Sequence, residues 1–217
     1  MNNCQAGHKK HDRVLVDTVL GEMTVYDYEK YKDQFNIYCT GQDAVSNTLI
    51  RDVYWEKNYF GLVNGILKDG DKANLVIDIG AHIGWYSRMA IQYGYKVIAF
   101  EGNKENMEVL KLNAPGVDAR HIWFEEDMES VFESDKVIEF MKLDIEGSEK
   151  YAIEYMRKVL MQTKNIFMEV SPVFNGSYPA LVRKLQDIGF EVLEFDGRKF
   201  DFNFDFEQKD LWFRRCL

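Results

Sequence analysis

Short apolar runs that end on an acid recur along the second two-thirds of this chain. Leu75-Val76-Ile77-Asp78-Ile79 leads into Gly80-Ala81-His82-Ile83-Gly84, and Lys96-Val97-Ile98-Ala99-Phe100 leads into Glu101. Ile122-Trp123-Phe124 precedes Glu125-Glu126-Asp127, Val137 to Leu143 precedes Asp144, and Asn165 to Val170 carries Glu169. Runs this short and this rich in β-branched and aromatic residues read as buried strands. The stretches between them carry helix punctuation instead. Trp85 to Tyr93 predicts a helix closed by Gly94, and Asn103 caps one that runs through Leu112 and stops before Pro115. Ser148 to Met161 and Pro179 to Ile188 predict two more, the last closed by Gly189. Strands alternating with helices predict a parallel sheet with helices on its faces.

The two ends of the chain differ from this rhythm. Val14-Leu15-Val16 and Met23-Thr24-Val25-Tyr26 flank Gly21-Glu22 and suggest a small hairpin, while Asp43 to Leu67 reads as one or two helices closed by Gly70. Residues 1–72 are therefore expected to form a tail, hairpin and helical cap, laid against a ligand-binding domain over 73–217. At the other end, Phe190 to Phe195 reads as a strand and Asp196-Gly197 as a turn. Phe200, Phe202, Phe204 and Phe206 then alternate with polar residues, as in a returning strand with one apolar face. The sum is an α/β, Rossmann-like sheet of seven strands, mostly parallel with one antiparallel strand.

Composition narrows the setting. With 217 residues, 46% of them hydrophobic, the chain can bury one full core. A net charge of −9, a pI near 5.0 and no basic cluster argue against an extended nucleic-acid surface. Cys4, Cys39 and Cys216 are odd in number and scattered, which suits a reducing compartment. Cys4, His8 and His11 in the polar tail make no closed metal site. No run approaches a membrane span and no signal-peptide core is present, so a soluble cytoplasmic protein is expected.

The chemistry gathers where strands hand over to helices. In a parallel sheet the strand ends share one edge, so Asp78, Glu101, Asp127 and Asp144 would line a single crevice. Gly80 and Gly84 lack the Cβ that would keep a ligand off the backbone. An acid at the tip of the second strand can accept hydrogen bonds from both hydroxyls of a ribose, which makes Glu101 the candidate ribose ligand. The dinucleotide fingerprint G-x-G-x-x-G is absent, because Asp78 stands where its first glycine would be. An acid there repels a pyrophosphate and suits an amine or a cationic centre. S-adenosyl-L-methionine, with ribose, adenine, amino group and sulfonium but no phosphate, fits this pattern better than NAD. Asp78 serves either the loop or the ligand amine. Asp127, or its neighbour Glu126, is placed for the exocyclic amine of adenine. Ala81, His82, Gly102 and Asn103 complete the two loops expected around the cofactor.

A second dense patch is Lys142-Leu143-Asp144-Ile145-Glu146-Gly147-Ser148-Glu149. Its carboxylates suit a metal, a general base or an incoming substrate, while Glu149 favours the positive end of the following helix. Alternation along the strand end would send Asp144 and Glu146 to one face and turn Ile145 away. Asp144 then lies by the cofactor and Glu146 reaches the acceptor as the first candidate base, with His82 the second.

Together, Val76 to Gly84, Val97 to Asn103 and Met141 to Glu149 resemble the FkbM family of S-adenosylmethionine-dependent methyltransferases. The resemblance runs from about Trp55-Glu56 to Glu169. It implies the class I methyltransferase fold, cofactor contacts by Asp78, Gly80, Gly84, Glu101 and Asp144, and O-methylation of a hydroxyl on a saccharide or other small-molecule acceptor. Two departures stand out: the family usually has Asn where His82 stands and Pro where Gly102 stands. The segment from Glu125 to Lys136 is also shorter than is common there. Two rival readings are a catalytically silent cofactor-binding or scaffolding protein on the same fold, and a nucleotide-dependent oxidoreductase.

Overall fold

The computed structural model describes residues 13–18, 21–27, 36–39, 43–52, 55–125, 134–171, 178–201 and 208–215. Strands β1 (Arg13–Thr18), β2 (Gly21–Asp27) and β3 (Asn36–Cys39) form an antiparallel sheet in that order. The β1–β2 register, from Arg13 opposite Tyr26 to Thr18 opposite Gly21, is the hairpin that the sequence suggests. Helices α1 (Ala44–Asp52) and α2 (Lys57–Asp69) follow. Ile37, Cys39, Leu49, Val63 and Leu67 are buried in one cluster with Val76, Trp85, Met89 and Phe140, so β3, α1 and α2 share a core with the main sheet.

That main sheet has seven strands in the order β6-β5-β4-β7-β8-β10-β9. They are β4 (Leu75–Ile79), β5 (Lys96–Glu101), β6 (Asp118–His121), β7 (Ile138–Leu143), β8 (Thr163–Val170), β9 (Glu191–Leu193) and β10 (Lys209–Arg214). Between them lie α3 (Trp85–Gln92), α4 (Lys104–Asn113), α5 (Glu149–Tyr155), α6 (Arg157–Leu160) and α7 (Tyr178–Asp187). Every residue of β4 and of β7 is buried, as in strands covered on both faces. β10 runs antiparallel to both β8 and β9, and the other ladders from β6 to β8 are parallel. Strand order reverses between β4 and β7, and this is where an open α/β sheet leaves a crevice at its carboxyl edge.

Three expectations shift. The third strand is Asp118–His121 rather than Ile122–Phe124. It is an edge strand paired to β5 alone, with no fully buried residue, so its polar sequence carries no apolar signal. The antiparallel strand is Lys209–Arg214 rather than the alternating aromatic run, whose Phe202, Phe204 and Phe206 lie outside the described residues. Inserted between two strands, β10 buries the consecutive Leu211, Trp212 and Phe213 and so shows no alternation. The helix expected over 148–161 breaks at Met156 (φ −108°, ψ 21°), and nothing in the residue types there explains it. Among the described residues no helix is long and apolar enough to cross a membrane.

Candidate functional site

A cavity of about 400 Å3 opens at the carboxyl edge of β4, β5 and β7. The loop after β4 contributes Gly80 to Ile83, the tip of β5 contributes Glu101 and Gly102, and the chain after β6 contributes Ile122 to Phe124. Lys142, Asp144, Ile145 and Glu146 come from the end of β7, and Trp55 and Val45 from the front elements. Its size falls within the roughly 300–1,000 Å3 usual for small-molecule sites.

Asp78 lies beneath the loop rather than in the cavity wall. Its Oδ2 accepts the backbone N–H of Ser87 at 2.9 Å and the Ser87 hydroxyl at 2.6 Å, tying the first turn of α3 to β4. Burial pushes this carboxyl up to about 6, against the Ser87 bonds and the Lys142 charge. The two glycines are needed by the protein itself. Gly80 has φ 79°, and a Cβ there would fall 1.7 Å from the carbonyl oxygen of Asp144. At Gly84, with φ 87°, an added Cβ would fall 2.6 Å from Leu110 Cδ1. Glycine thus brings the β4 loop against the end of β7, and this contact forms the floor of the crevice.

Glu101 is 7% exposed and points into the crevice from β5. Its Oε2 accepts the His82 N–H at 2.7 Å and its Oε1 accepts the Asn103 N–H at 2.7 Å. Each oxygen keeps a lone pair for a further donor, the requirement for holding a vicinal diol. Asn103 caps α4 by accepting from Glu105 N and Asn106 N, as its sequence position indicates.

His82 has φ 50°, a left-handed conformation that His and Asn tolerate better than most residues. Its Nε2 lies 3.8 Å from Asp43 Oδ1, and its Nδ1 is buried with no hydrogen-bond partner among the described residues. Glu146 also has a left-handed φ, 52°, and with Gly147 at φ 103° it forms a turn after β7 ends at Leu143. Asp144 and Glu146 both reach the cavity, but through this turn and not through strand alternation, so Ile145 lines the cavity as well. Burial, then Asp144 and Glu149, raise the Glu146 carboxyl. Glu149 holds the turn from below, its Oε1 accepting from Ile145 N at 3.0 Å and Gly147 N at 3.2 Å.

Lys142 joins elements that the sequence keeps far apart. Its buried Nζ lies 3.1 Å from Asp144 Oδ2, 3.4 Å from Glu56 Oε1 and 3.7 Å from Asp210 Oδ1. It also sits 4.6 Å from the centre of the Phe167 ring. Burial alone would lower its pKa, but Asp144, Glu56 and Asp210 outweigh this and the net shift is upward. The Tyr86 hydroxyl donates to Glu56 Oε2. Burial lifts Asp210 to about 6 and Glu169, its partner across the β8–β10 ladder, to about 7. The floor beside the cavity is therefore rich in carboxylates around one enclosed cation.

Of the residues singled out in the sequence, the structure brings Gly80, Ala81, His82, Glu101, Gly102, Asp144 and Glu146 together around one cavity. Asp78 and Asn103 brace it through Ser87 and Glu101, and Gly84 packs on Leu110. Asp127 lies outside the described residues. Sequence reasoning missed Glu56 and Asp210, which reach Lys142 from opposite ends of the chain. It also took Trp123 for a strand residue. Among the described residues no group of three or more His, Cys, Asp or Glu side chains could hold a metal ion.

No family model matches the chain, and no curated protein matches its sequence. Among solved structures the chain is similar to a magnesium protoporphyrin IX methyltransferase from Synechocystis PCC 6803, a structure with bound S-adenosylmethionine. The TM-score is 0.53 at 13% identity, over 80% of this chain and 85% of that one. It is also similar to an rRNA methylase from Streptococcus thermophilus, with a TM-score of 0.51 at 10% identity, over 76% of this chain and all of the other (100%). The fold is that of the class I methyltransferases, seven strands with one antiparallel strand inserted next to the last.

Proposed function

We propose that the chain is an S-adenosylmethionine-dependent methyltransferase of the FkbM type, acting on a hydroxyl of a saccharide or other small molecule. In this reading residues 73–217 hold the cofactor and residues 1–72 form a tail, hairpin and helical cap laid against that domain. The observation that carries it is Glu101, a carboxylate aimed into the cavity with one lone pair left on each oxygen, beside a loop whose glycine permits close approach. The residues present fit such a cofactor: a diol acceptor, apolar walls for a flat base, and an acid, Asp78, where a pyrophosphate loop has its first glycine.

When bound, S-adenosylmethionine would supply an activated methyl group for the acceptor oxygen, with the sulfur as leaving group. The protein's share is alignment, exclusion of water and removal of one proton. Glu101 orients the ribose. Asp144, fixed by Lys142 at 3.1 Å, faces the amino-acid end. Glu146, with its raised pKa and its place in the cavity lining, takes the acceptor's proton, and His82 is the next candidate. Isothermal titration with S-adenosylhomocysteine and with NAD tests the reading. Binding of the first and not the second is expected, and tight NAD binding with no response to S-adenosylhomocysteine would overturn it.

A further inference from the structure

Trp123 is 67% exposed, the most exposed large apolar side chain among the described residues. The segment that carries it is nonetheless fixed on both sides. His121 Nε2 lies 2.8 Å from Gly102 O, and Ile122 N donates to Glu101 O at 3.2 Å. Phe124 is buried, its ring edge-on to Phe100 with centres 5.9 Å apart. Held in this way, the indole rests on the backbone of Gly102. A Cβ added to Gly102 would fall 1.9 Å from Trp123 Cε3 and 2.5 Å from Cζ3. The φ of Gly102 lies outside the left-handed region, so conformation does not demand glycine there; space does.

The consequence is an exchange of side chains. The residue after the strand-tip acid would ordinarily place its own side chain beside the ribose ligand. Here that volume is taken by an indole from the chain after β6, lying against Gly102, the residue next to Glu101. We propose that Trp123 is the specificity-determining wall of this cavity, its indole stacking on the purine of a nucleoside whose ribose sits on Glu101, with Gly102 kept bare to admit the ring. The inference rests on the cofactor reading above. Trp123 lines the same cavity as Glu101 and Gly102, so a base attached to a ribose held by Glu101 would come within reach of its largely exposed indole. Planar heteroaromatics gain from such a surface and non-planar groups do not.

The test is S-adenosylhomocysteine affinity, measured by calorimetry on the full chain and four variants, each checked for folding by melting temperature. Trp123→Ala should weaken binding about 5- to 150-fold, the range for removing one aromatic partner from a stacked base. Trp123→Phe, which keeps a smaller π face, should fall between that variant and the wild type. Gly102→Ala should weaken binding in the wild type by displacing the indole. In the Trp123→Ala background the same change should have little effect, because the atom it meets is gone. Equal affinity of folded Trp123→Ala and wild type overturns the role of Trp123 and leaves the cofactor reading standing. An equal effect of Gly102→Ala in both backgrounds overturns the steric pairing. A wild type that binds no S-adenosylhomocysteine overturns the cofactor reading itself.

Discussion

Glu101 Oε2 accepts the backbone N–H of His82 at 2.7 Å, so the tip of β5 fixes the loop that leaves β4. The same carboxylate holds Asn103 N through its other oxygen. A residue expected to serve only a ligand therefore also binds two loops together. Hydrogen bonds to charged groups contribute about 1.5–3 kcal/mol each, less where water can replace the lost acceptor. Glu101→Ala is expected to lose about 2 kcal/mol of stability along with nucleoside affinity. Paired thermal melts and titrations check this. A mutant with unchanged melting temperature would show that the two N–H groups do not depend on the carboxylate.

Gly80 and Gly94 provide an internal contrast. Both have left-handed φ values, 79° and 89°, so alanine at either pays about 1–2 kcal/mol for backbone conformation. A Cβ on Gly94 meets nothing within 4 Å, whereas one on Gly80 lands 1.7 Å from the backbone oxygen of Asp144. Gly80→Ala must therefore part β4 from β7 as well. Urea unfolding should place it at least about 2 kcal/mol below Gly94→Ala, a step in line with overpacking costs. Similar midpoints for the two would mean the contact between the loop and Asp144 is soft.

Much of this architecture can be read in the sequence because its central strands are buried on both faces. Apolar runs such as Val76-Ile77 before Asp78 and Phe140 to Leu143 before Asp144, broken only by Lys142, announce themselves without tertiary information. Edge and inserted strands do not. β6 is polar because it lies at the sheet edge with no fully buried residue, and β10 loses alternation because it is covered on both sides. The site divides in the same way. Glu101, Gly80 and Asp144 follow from their places at strand ends. Glu56 and Asp210 do not, since what makes them matter is one ammonium group that they approach from residues 86 and 68 positions away. No local pattern encodes that meeting.

Lys142 is the enclosed cation of that cluster, and its removal should have a pH signature. In Lys142→Met, Glu56, Asp144 and Asp210 face one another without it, and breaking a buried ion pair this way typically costs about 3–5 kcal/mol. Burial already lifts Asp210 to about 6, so the folded state favours its neutral form. That contribution is full below the unfolded value near 3.8 and is lost as pH rises through about 6. Without the ammonium, which now holds Asp210 down, that carboxyl shifts further up. The melting-temperature gap between wild type and Lys142→Met should thus be larger at pH 8 than at pH 5. A gap that does not change with pH would mean that lost packing on Phe167, and not charge, accounts for the damage.

The assignment of Glu146 as base turns on separating chemistry from support. The turn after β7 has its own support: Glu149 Oε1 accepts from Ile145 N and Gly147 N, so Glu146 is not required for that purpose. Its left-handed φ of 52° is unchanged by an isosteric amide, so Glu146→Gln neither relieves nor adds backbone strain. If Glu146 takes the acceptor's proton, Glu146→Gln should keep its melting temperature and S-adenosylhomocysteine affinity while turnover falls roughly 10²–10⁴-fold. Asp144→Asn should behave differently. It weakens the 3.1 Å pair with buried Lys142, so both stability and cofactor affinity should drop. Melting temperature, affinity and turnover measured on both variants separate the two roles. Full turnover in Glu146→Gln would remove it as the base. His82, whose buried Nδ1 has no partner among the described residues, would then be the residue to change next.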